Sequence, residues 1–212
     1  MELHNFFRSG TSHRLRIALN LKGIDYAYVP VDLRTEEHLG AAFRALNPQA
    51  LVPALTDGEM ILTQTPAIIE WLEERYPDPA LLPANTEDRA RVRALAAIVG
   101  CDIHPINNRR ILEYLRKTLH CDEAAVLAWC NTWIRAGFDA LEAVLSADDK
   151  RGDFCFGNVP TIADVYLIPQ IESARRFNVD LSAYPNIVAI DRACSELDAF
   201  RRATPAAQPD AK

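Results

Sequence analysis

No run of the 212 residues approaches the ~18–20 consecutive apolar residues that a membrane-spanning helix needs. The opening residues lack a basic segment followed by a long apolar stretch, which argues against a secretory leader. Positive charge is in deficit, with a net charge of −6, which argues against a general nucleic-acid binder, and any basic site must be local. The five cysteines (Cys101, Cys121, Cys130, Cys155 and Cys194) are odd in number and form no CxxC pair. Neither a disulfide framework nor a metal centre is expected from them; they read as reduced, buried thiols in a cytoplasmic protein. Internal repeats and low-complexity blocks are missing too. What is present is ample apolar material, 49% of residues, enough for one large core or two small ones.

The first 80 residues alternate strand and helix signals. ELHNFF reads as a strand, residues 12–22 as a helix closed by Gly23, and DYAYVPVDL as a second strand that Pro30 demotes to an edge. Thr35 opens a predicted helix through Ala45. Two short strands, ALTD and MIL, meet at Asp57-Gly58, a hairpin signal, and Gln64-Thr65-Pro66 starts a helix carrying Ile68, Ile69, Leu72 and Tyr76. The proline-rich stretch PDPALLPANTEDR reads as a linker. Beyond it the pattern is helical over residues 88–117, 123–145 and 163–176, with shorter pieces to Ala203 and a frayed tail. Thr161 and Asp164 form a capping-box start and are read as folding determinants. The organisation is therefore an α/β thioredoxin-like domain over residues 1–80 and an all-α domain over residues 88–212.

One loop stands out. FRSGTSHRL packs Arg8 beside Ser9, Gly10, Thr11 and Ser12 at the mouth of a helix. A helix N-terminus offers unpaired N–H groups and a partial positive charge, which suit an anion or a thiolate. Ser9 and Ser12 can each also serve simply as the helix cap.

The run RSGTSHRLRIALNLKGI is similar to the signature of the zeta class of glutathione transferases, a serine-rich loop entering an Arg-x-Arg-Ile-Ala-Leu helix. ALNPQALVPAL and QTPAIIEWLEERYP resemble the glutathione-binding segments of that class. CDIHPINNRRILEYL and ARRFNVDL are similar to segments of its bacterial cis–trans isomerases. The resemblance covers nearly the whole chain and implies the glutathione transferase fold, glutathione as cofactor, a homodimer, and a small dicarboxylate substrate. On the resemblance the expected substrate is maleylpyruvate, with maleylacetoacetate as the near alternative. Two departures are visible: Gly10 and Thr11 replace a Ser-Cys pair, and Thr65-Pro66 follows Gln64 where Ser and a non-proline residue are commoner. Without a loop cysteine, glutathione is the only evident nucleophile.

The implied reaction needs a thiolate at neutral pH, although an ordinary thiol titrates near 8.5. The thiolate adds to the cis double bond, electrons flow into the conjugated ketone, the new single bond rotates, and elimination returns the trans product. On the resemblance, Ser9 donates to the sulfur, Thr11 adds a second donor or shapes the turn, and Ser12 caps the helix. Arg8 and Arg176 clamp substrate carboxylates through their planar forks, with Arg110 a further candidate. Val52-Pro53 resembles the family's cis-proline step, whose preceding backbone pairs with the cysteinyl group. Gln64 and Thr65 suit the γ-glutamyl carboxylate, Gln49 the tripeptide backbone, and His38 either the glycyl carboxylate or solvent. His104 and Asn108, four apart, share one face of a long helix bent at Pro105, and with Arg109 are implied to reach glutathione in the same subunit or across a dimer. Two rivals stay open. One is a general transferase for apolar electrophiles, which has no use for Arg8 and Arg176. The other is a non-enzymatic binding module, which predicts a degraded glutathione site.

Overall fold

The computed structural model describes residues 1–211. The chain divides into two compact units, one built from residues 1–81 with 195–212 and the other from residues 82–194. Placement of the second boundary differs from the sequence reading, which gave everything after residue 88 to the helical domain.

In the first unit four strands form one mixed sheet, ordered β2-β1-β3-β4. Strand β1 (Glu2–Asn5) runs parallel to β2 (Ala27–Pro30) and antiparallel to β3 (Ala54–Asp57), which pairs with β4 (Met60–Thr63). Leu3 sits opposite both Tyr28 and Leu55 and is fully buried, as is Leu55. Pro30 lies on the outer strand, where its missing N–H breaks no ladder. Gly58 has a φ of +60° in the two-residue turn between Asp57 and Met60, a conformation that glycine adopts without a Cβ clash.

Helix α1 (Gly10–Leu21) buries Leu15, Ile17, Ala18 and Leu19 completely. It packs on α3 (Thr65–Arg75), which contributes Ile68, Ile69 and Leu72. Each of these leucine and isoleucine side chains contributes roughly 1.5–3 kcal/mol by leaving water. The helix stops as expected at Gly23: the Ile24 N–H reaches the Leu19 carbonyl at 3.0 Å and the Gly23 N–H that of Asn20 at 3.1 Å, a Schellman-type closure.

The helix predicted from Thr35 to Ala45 is two pieces. A 3-10 turn (Glu37–Leu39) precedes α2 (Ala41–Leu46). Glu36 takes a left-handed φ of 62° and Gly40 is extended, so the ladder cannot pass through. The local bonds go instead to Asp32, whose N–H meets the Glu37 carboxylate at 2.8 Å and whose carbonyl accepts the Glu37 N–H at 3.1 Å.

The expected frayed tail, ATPAAQPDAK, is ordered over residues 203–211; Lys212 lies outside the described residues. Helix α9 (Asp198–Arg201) packs on α1, the Asn20 amide donates to the Ala199 carbonyl at 2.9 Å, and Asp210 accepts from the Tyr28 hydroxyl. Its place at the end of the sequence suggested fraying, but these bonds and the burial of Phe200 and Ala203 hold the segment in the first unit.

The helical unit contains α4 (Thr86–Ala97), α5 (Arg109–Lys117), α6 (Glu123–Ala147), α7 (Ile162–Arg176) and α8 (Pro185–Ser195), the last ending at the unit boundary. The single long helix predicted for residues 88–117 is interrupted rather than bent. Helix α4 passes into a π-helical stretch (Ile98–Ile103), where the His104 N–H reaches back to the Val99 carbonyl at 2.9 Å. A short 3-10 turn (Pro105–Asn107) follows, and Asn108 then turns extended and caps α5. Gly137 on α6 meets this π segment closely: a Cβ there would lie 2.3 Å from the Ile103 side chain. Helix α7 begins with the expected capping box, the Thr161 N–H donating to the Asp164 carboxylate at 2.7 Å. Asp164 is fully buried and its pKa is raised by that burial, opposed by bonds from Cys155 and Thr161.

Candidate active site

The sequence brings three hydroxyl groups to the start of α1, and the structure separates their roles. Ser9 is the N-cap: its Oγ accepts the Ser12 N–H at 3.2 Å and its carbonyl accepts the His13 N–H at 2.9 Å. This corrects the assignment of the cap to Ser12. Ser12 lies inside the first turn, buried, and its Oγ accepts the Phe6 N–H at 3.4 Å. Both residues satisfy the composition rule for a cap, but only Ser9 has the extended backbone that a cap requires, at φ −68° and ψ 124°.

Thr11 Oγ1 lies 2.9 Å from Ser9 Oγ and 3.0 Å from the Val52 carbonyl oxygen. A carbonyl can only accept, so the single Thr11 proton goes to Val52. Ser9 is therefore the donor in the Ser9–Thr11 pair. Thr11 shapes the loop and orients Ser9, and its proton is not free for a ligand. The Ser9 proton is the mobile one: rotation of its O–H redirects it without moving the side chain.

The Val52–Pro53 bond is cis. Pro53 is buried, Val52 half-buried, and the Val52 carbonyl is tied to the α1 loop through Thr11. Gln64 stands just before α3 with φ 68° and ψ 107°, a sparsely populated backbone state for a residue with a side chain. Its amide donates to the Gln49 side chain, so these two candidates meet. Thr65, buried, is the first residue of α3, and Pro66 occupies the first turn. No side chain caps this helix, which leaves its N-terminal N–H groups available to an anion. His38 is half-buried on the 3-10 turn rather than on a helix.

Arg8 is exposed next to Ser9, its guanidinium 6.0 Å from the Phe7 ring centroid. In the helical unit Arg176 is exposed at the end of α7, bonded to the Ser173 hydroxyl at 3.1 Å and stacked on Phe177. Arg175, read as a surface charge, pairs with Asp191. His104 closes the π segment and Asn108 caps α5, accepting from the Arg110 and Ile111 N–H groups at 3.0 and 3.4 Å. The two do not share a face of one helix, because the backbone turns extended at Asn108. Arg109 pairs with Glu113, whose pKa is lowered chiefly by that bond, and Arg110 is exposed.

Sequence reading missed Arg16 and Asp210, which bond to the backbone just ahead of Ser9. Arg16 carried a faint signal, a charge in the apolar run of α1; Asp210 carried none. The cysteines were expected to be buried, yet Cys101 is exposed and Cys121 partly so. Burial holds the Cys130 thiol up at about 11, and Cys155 and Cys194 above their ordinary range, so these three stay protonated at neutral pH. Among the described residues no cluster of His, Cys, Asp or Glu could hold a metal ion, and no helix is long and apolar enough to cross a membrane.

Comparison with known proteins matches residues 8–75 to the glutathione S-transferase N-terminal domain and residues 125–202 to the corresponding C-terminal domain. A maleylpyruvate isomerase from Ralstonia sp. is 72% identical over 210 residues, covering 99% of each chain. The solved holo structure of maleyl pyruvate isomerase, described as a bacterial glutathione S-transferase in zeta class, superimposes with a TM-score of 0.98, 72% identity and 99% coverage of both chains. The structure of maleylacetoacetate isomerase from Methylobacterium extorquens AM1 with bound malonate and GSH matches with a TM-score of 0.96 at 38% identity, covering all of both chains.

Proposed function

The chain belongs to the glutathione S-transferase family, in its zeta class, and from that premise we propose that it is a glutathione-dependent cis–trans isomerase converting maleylpyruvate to fumarylpyruvate. The observation that carries this is the α1 loop, in which a serine with a redirectable proton sits at a helix N-terminus beside an exposed arginine. Glutathione fits the residues present: the uncapped first turn of α3 suits its γ-glutamyl carboxylate, and the α1 loop suits its sulfur. When bound, glutathione supplies the thiolate that adds to the double bond and leaves again after rotation.

The chain's own residues then divide the work. Ser9 turns its O–H from Thr11 to the sulfur and, with the positive end of α1, holds the thiolate form at neutral pH. Thr11 keeps Ser9 in place through Val52. Gln49, Val52, Pro53, Gln64 and Thr65 hold the tripeptide, with His38 a further contact. Arg8 grips a substrate carboxylate and draws negative charge towards itself as it develops. In the helical unit Arg176 and Arg110 are the carboxylate candidates, and His104, Asn108 and Arg109 the glutathione candidates. The capping bonds of Asn108 leave its amide N–H₂ as the group for a ligand.

Maleylacetoacetate is the second reading, favoured by the likeness to the Methylobacterium enzyme. We further infer a homodimer working in the cytoplasm, in gentisate-type breakdown of aromatic rings. Five free thiols suit a reducing compartment. The deciding experiment follows the absorbance of maleylpyruvate and of maleylacetoacetate with and without glutathione. Glutathione-dependent loss of the cis isomer, faster for maleylpyruvate, is the expected result. Turnover without glutathione, or none with either substrate, would overturn the proposal.

A further inference from the structure

The turn that delivers Ser9 is held by a segment far away in sequence. The Ser9 N–H closes the turn on the Phe6 carbonyl at 3.0 Å, so the placement of Phe6 and Phe7 sets that of Ser9. Each backbone polar group of these two residues has a side-chain partner. The Phe6 N–H donates to Ser12 Oγ, and its carbonyl accepts from Arg16 at 3.5 Å. The Phe7 carbonyl accepts from Arg16 at 2.9 Å, and its N–H donates to the Asp210 carboxylate at 3.1 Å.

Both anchors lead to the segment after α9. Arg16 is completely buried, and its Nε donates to the Ala203 carbonyl at 3.0 Å, which fixes the plane of the guanidinium. Its remaining bond goes to the Asn5 side chain at 2.9 Å. Burial lowers the Arg16 pKa to about 10, and the fields of Tyr28, Tyr26 and Asp210 oppose that shift, so the cation is retained at neutral pH. Asp210 holds its second oxygen on the Tyr28 hydroxyl of β2. The Gln208 amide folds the segment back by donating to the Arg202 and Thr204 carbonyls, each at 2.8 Å.

We propose that residues 203–210 are a strap that positions Ser9, acting through Arg16 and Asp210 on the Phe6–Phe7 backbone. Asp210 is a positioning residue; it acts on the reaction through the backbone of the turn. The consequence for catalysis rests on the role given above to Ser9, whereas the mechanical link does not. A small displacement of the donor matters because misplacement by about 1 Å is enough to cost ~10²-fold in rate.

The test compares Asp210→Ala, Asp210→Asn and a chain truncated after Thr204. Hydrogen exchange of the amides of residues 7–12 reads the strap without reference to activity. It is expected to speed up in Asp210→Ala and in the truncated chain while amides of β1, β3 and α3 keep their protection. With glutathione bound, thiolate absorbance is expected to titrate about one pH unit higher, and kcat/KM to fall about ten-fold with KM for glutathione changed less than about three-fold. Asp210→Asn, whose amide oxygen still accepts the Phe7 N–H, is expected to stay within about three-fold of wild type. Unchanged exchange at residues 7–12 in Asp210→Ala would overturn the strap, and so would loss of protection throughout the first unit. Wild-type thiolate titration and turnover with faster local exchange would overturn its positioning role. Should the wild-type chain lack glutathione-dependent turnover, the functional reading fails while the exchange data still judge the strap.

Discussion

Thr11 and Val52 are joined by a 3.0 Å hydrogen bond from the threonine hydroxyl to the backbone carbonyl, and that bond determines which way the neighbouring serine proton points. Thr11→Val keeps the shape but removes both the bond to Val52 and the acceptor for Ser9. The expected result is a kcat lower by up to about ten-fold, with stability reduced by about 1–3 kcal/mol for the two lost hydrogen bonds. An unaltered kcat, measured by the absorbance assay, would show that Ser9 needs no such guide.

Ser9 combines a structural and a chemical role, and one substitution separates them. Asp caps a helix as well as Ser does and favours the dipole, but places a negative charge beside the sulfur. Ser9→Asp is therefore expected to keep or slightly raise the melting temperature while lowering turnover by about 10²–10³-fold. Ser9→Ala should lose both, with stability down by about 1 kcal/mol from the missing cap. Comparing melting curves with bound-thiolate absorbance checks this.

Arg8 is exposed, with its guanidinium over the Phe7 ring, so its removal should cost the fold little. Arg8→Ala is expected to raise KM for the dicarboxylate by about 10–100-fold, the worth of a charge-assisted bond, and to leave glutathione affinity intact. Steady-state kinetics with each substrate varied in turn would separate the two.

Lys22 and Glu73 form a buried pair at 2.8 Å. Lys22 also donates to the Tyr76 and Pro79 carbonyls at 2.7 and 2.9 Å, and Glu73 accepts the Leu81 N–H. Lys22→Met removes the cation from a buried carboxylate and should destabilise the fold by about 3–5 kcal/mol. Replacing both members together should cost much less, and chemical denaturation of single and double variants would show it.

His13 is buried and its pKa is lowered to about 3, first by desolvation and then by the charge of Arg16. The unfolded chain, with a histidine near 6.5, binds the proton more readily. Stability linked to His13 is therefore complete above pH 6.5 and is lost as pH falls towards 3. By pH 5 the loss is about 2 kcal/mol, and His13→Gln should flatten the pH dependence of unfolding in this window.

Local signals carried much of the architecture. The Asp57-Gly58 hairpin, the Gly23 stop and the Thr161–Asp164 box each depend on a few adjacent residues, and each formed as read. Where two residue types could do one job, composition did not decide between them: Ser9 and Ser12 both suit a cap, and the backbone angle at Ser9 selected it. The break between α4 and α5 was visible only as Pro105. The π stretch before it packs closely against α6 at Gly137, a contact that no local pattern encodes. The candidate site was legible in its loop and at Gln64–Thr65, but Arg16 and Asp210 act through contacts far apart in sequence and left almost no mark.

The discontinuity of the first unit sets an order of events during synthesis. Sheet and α1 emerge first and can associate while the helical unit is still being made, yet the carboxylate of Asp210 and the carbonyl of Ala203 are added only afterwards. At about 5–20 residues per second, the interval lasts roughly 6–25 seconds for the residues between. A ribosome-bound chain can thus hold a folded sheet with its serine loop still loose, and the reactive loop is finished only after the helical unit and residues 203–210 have been made.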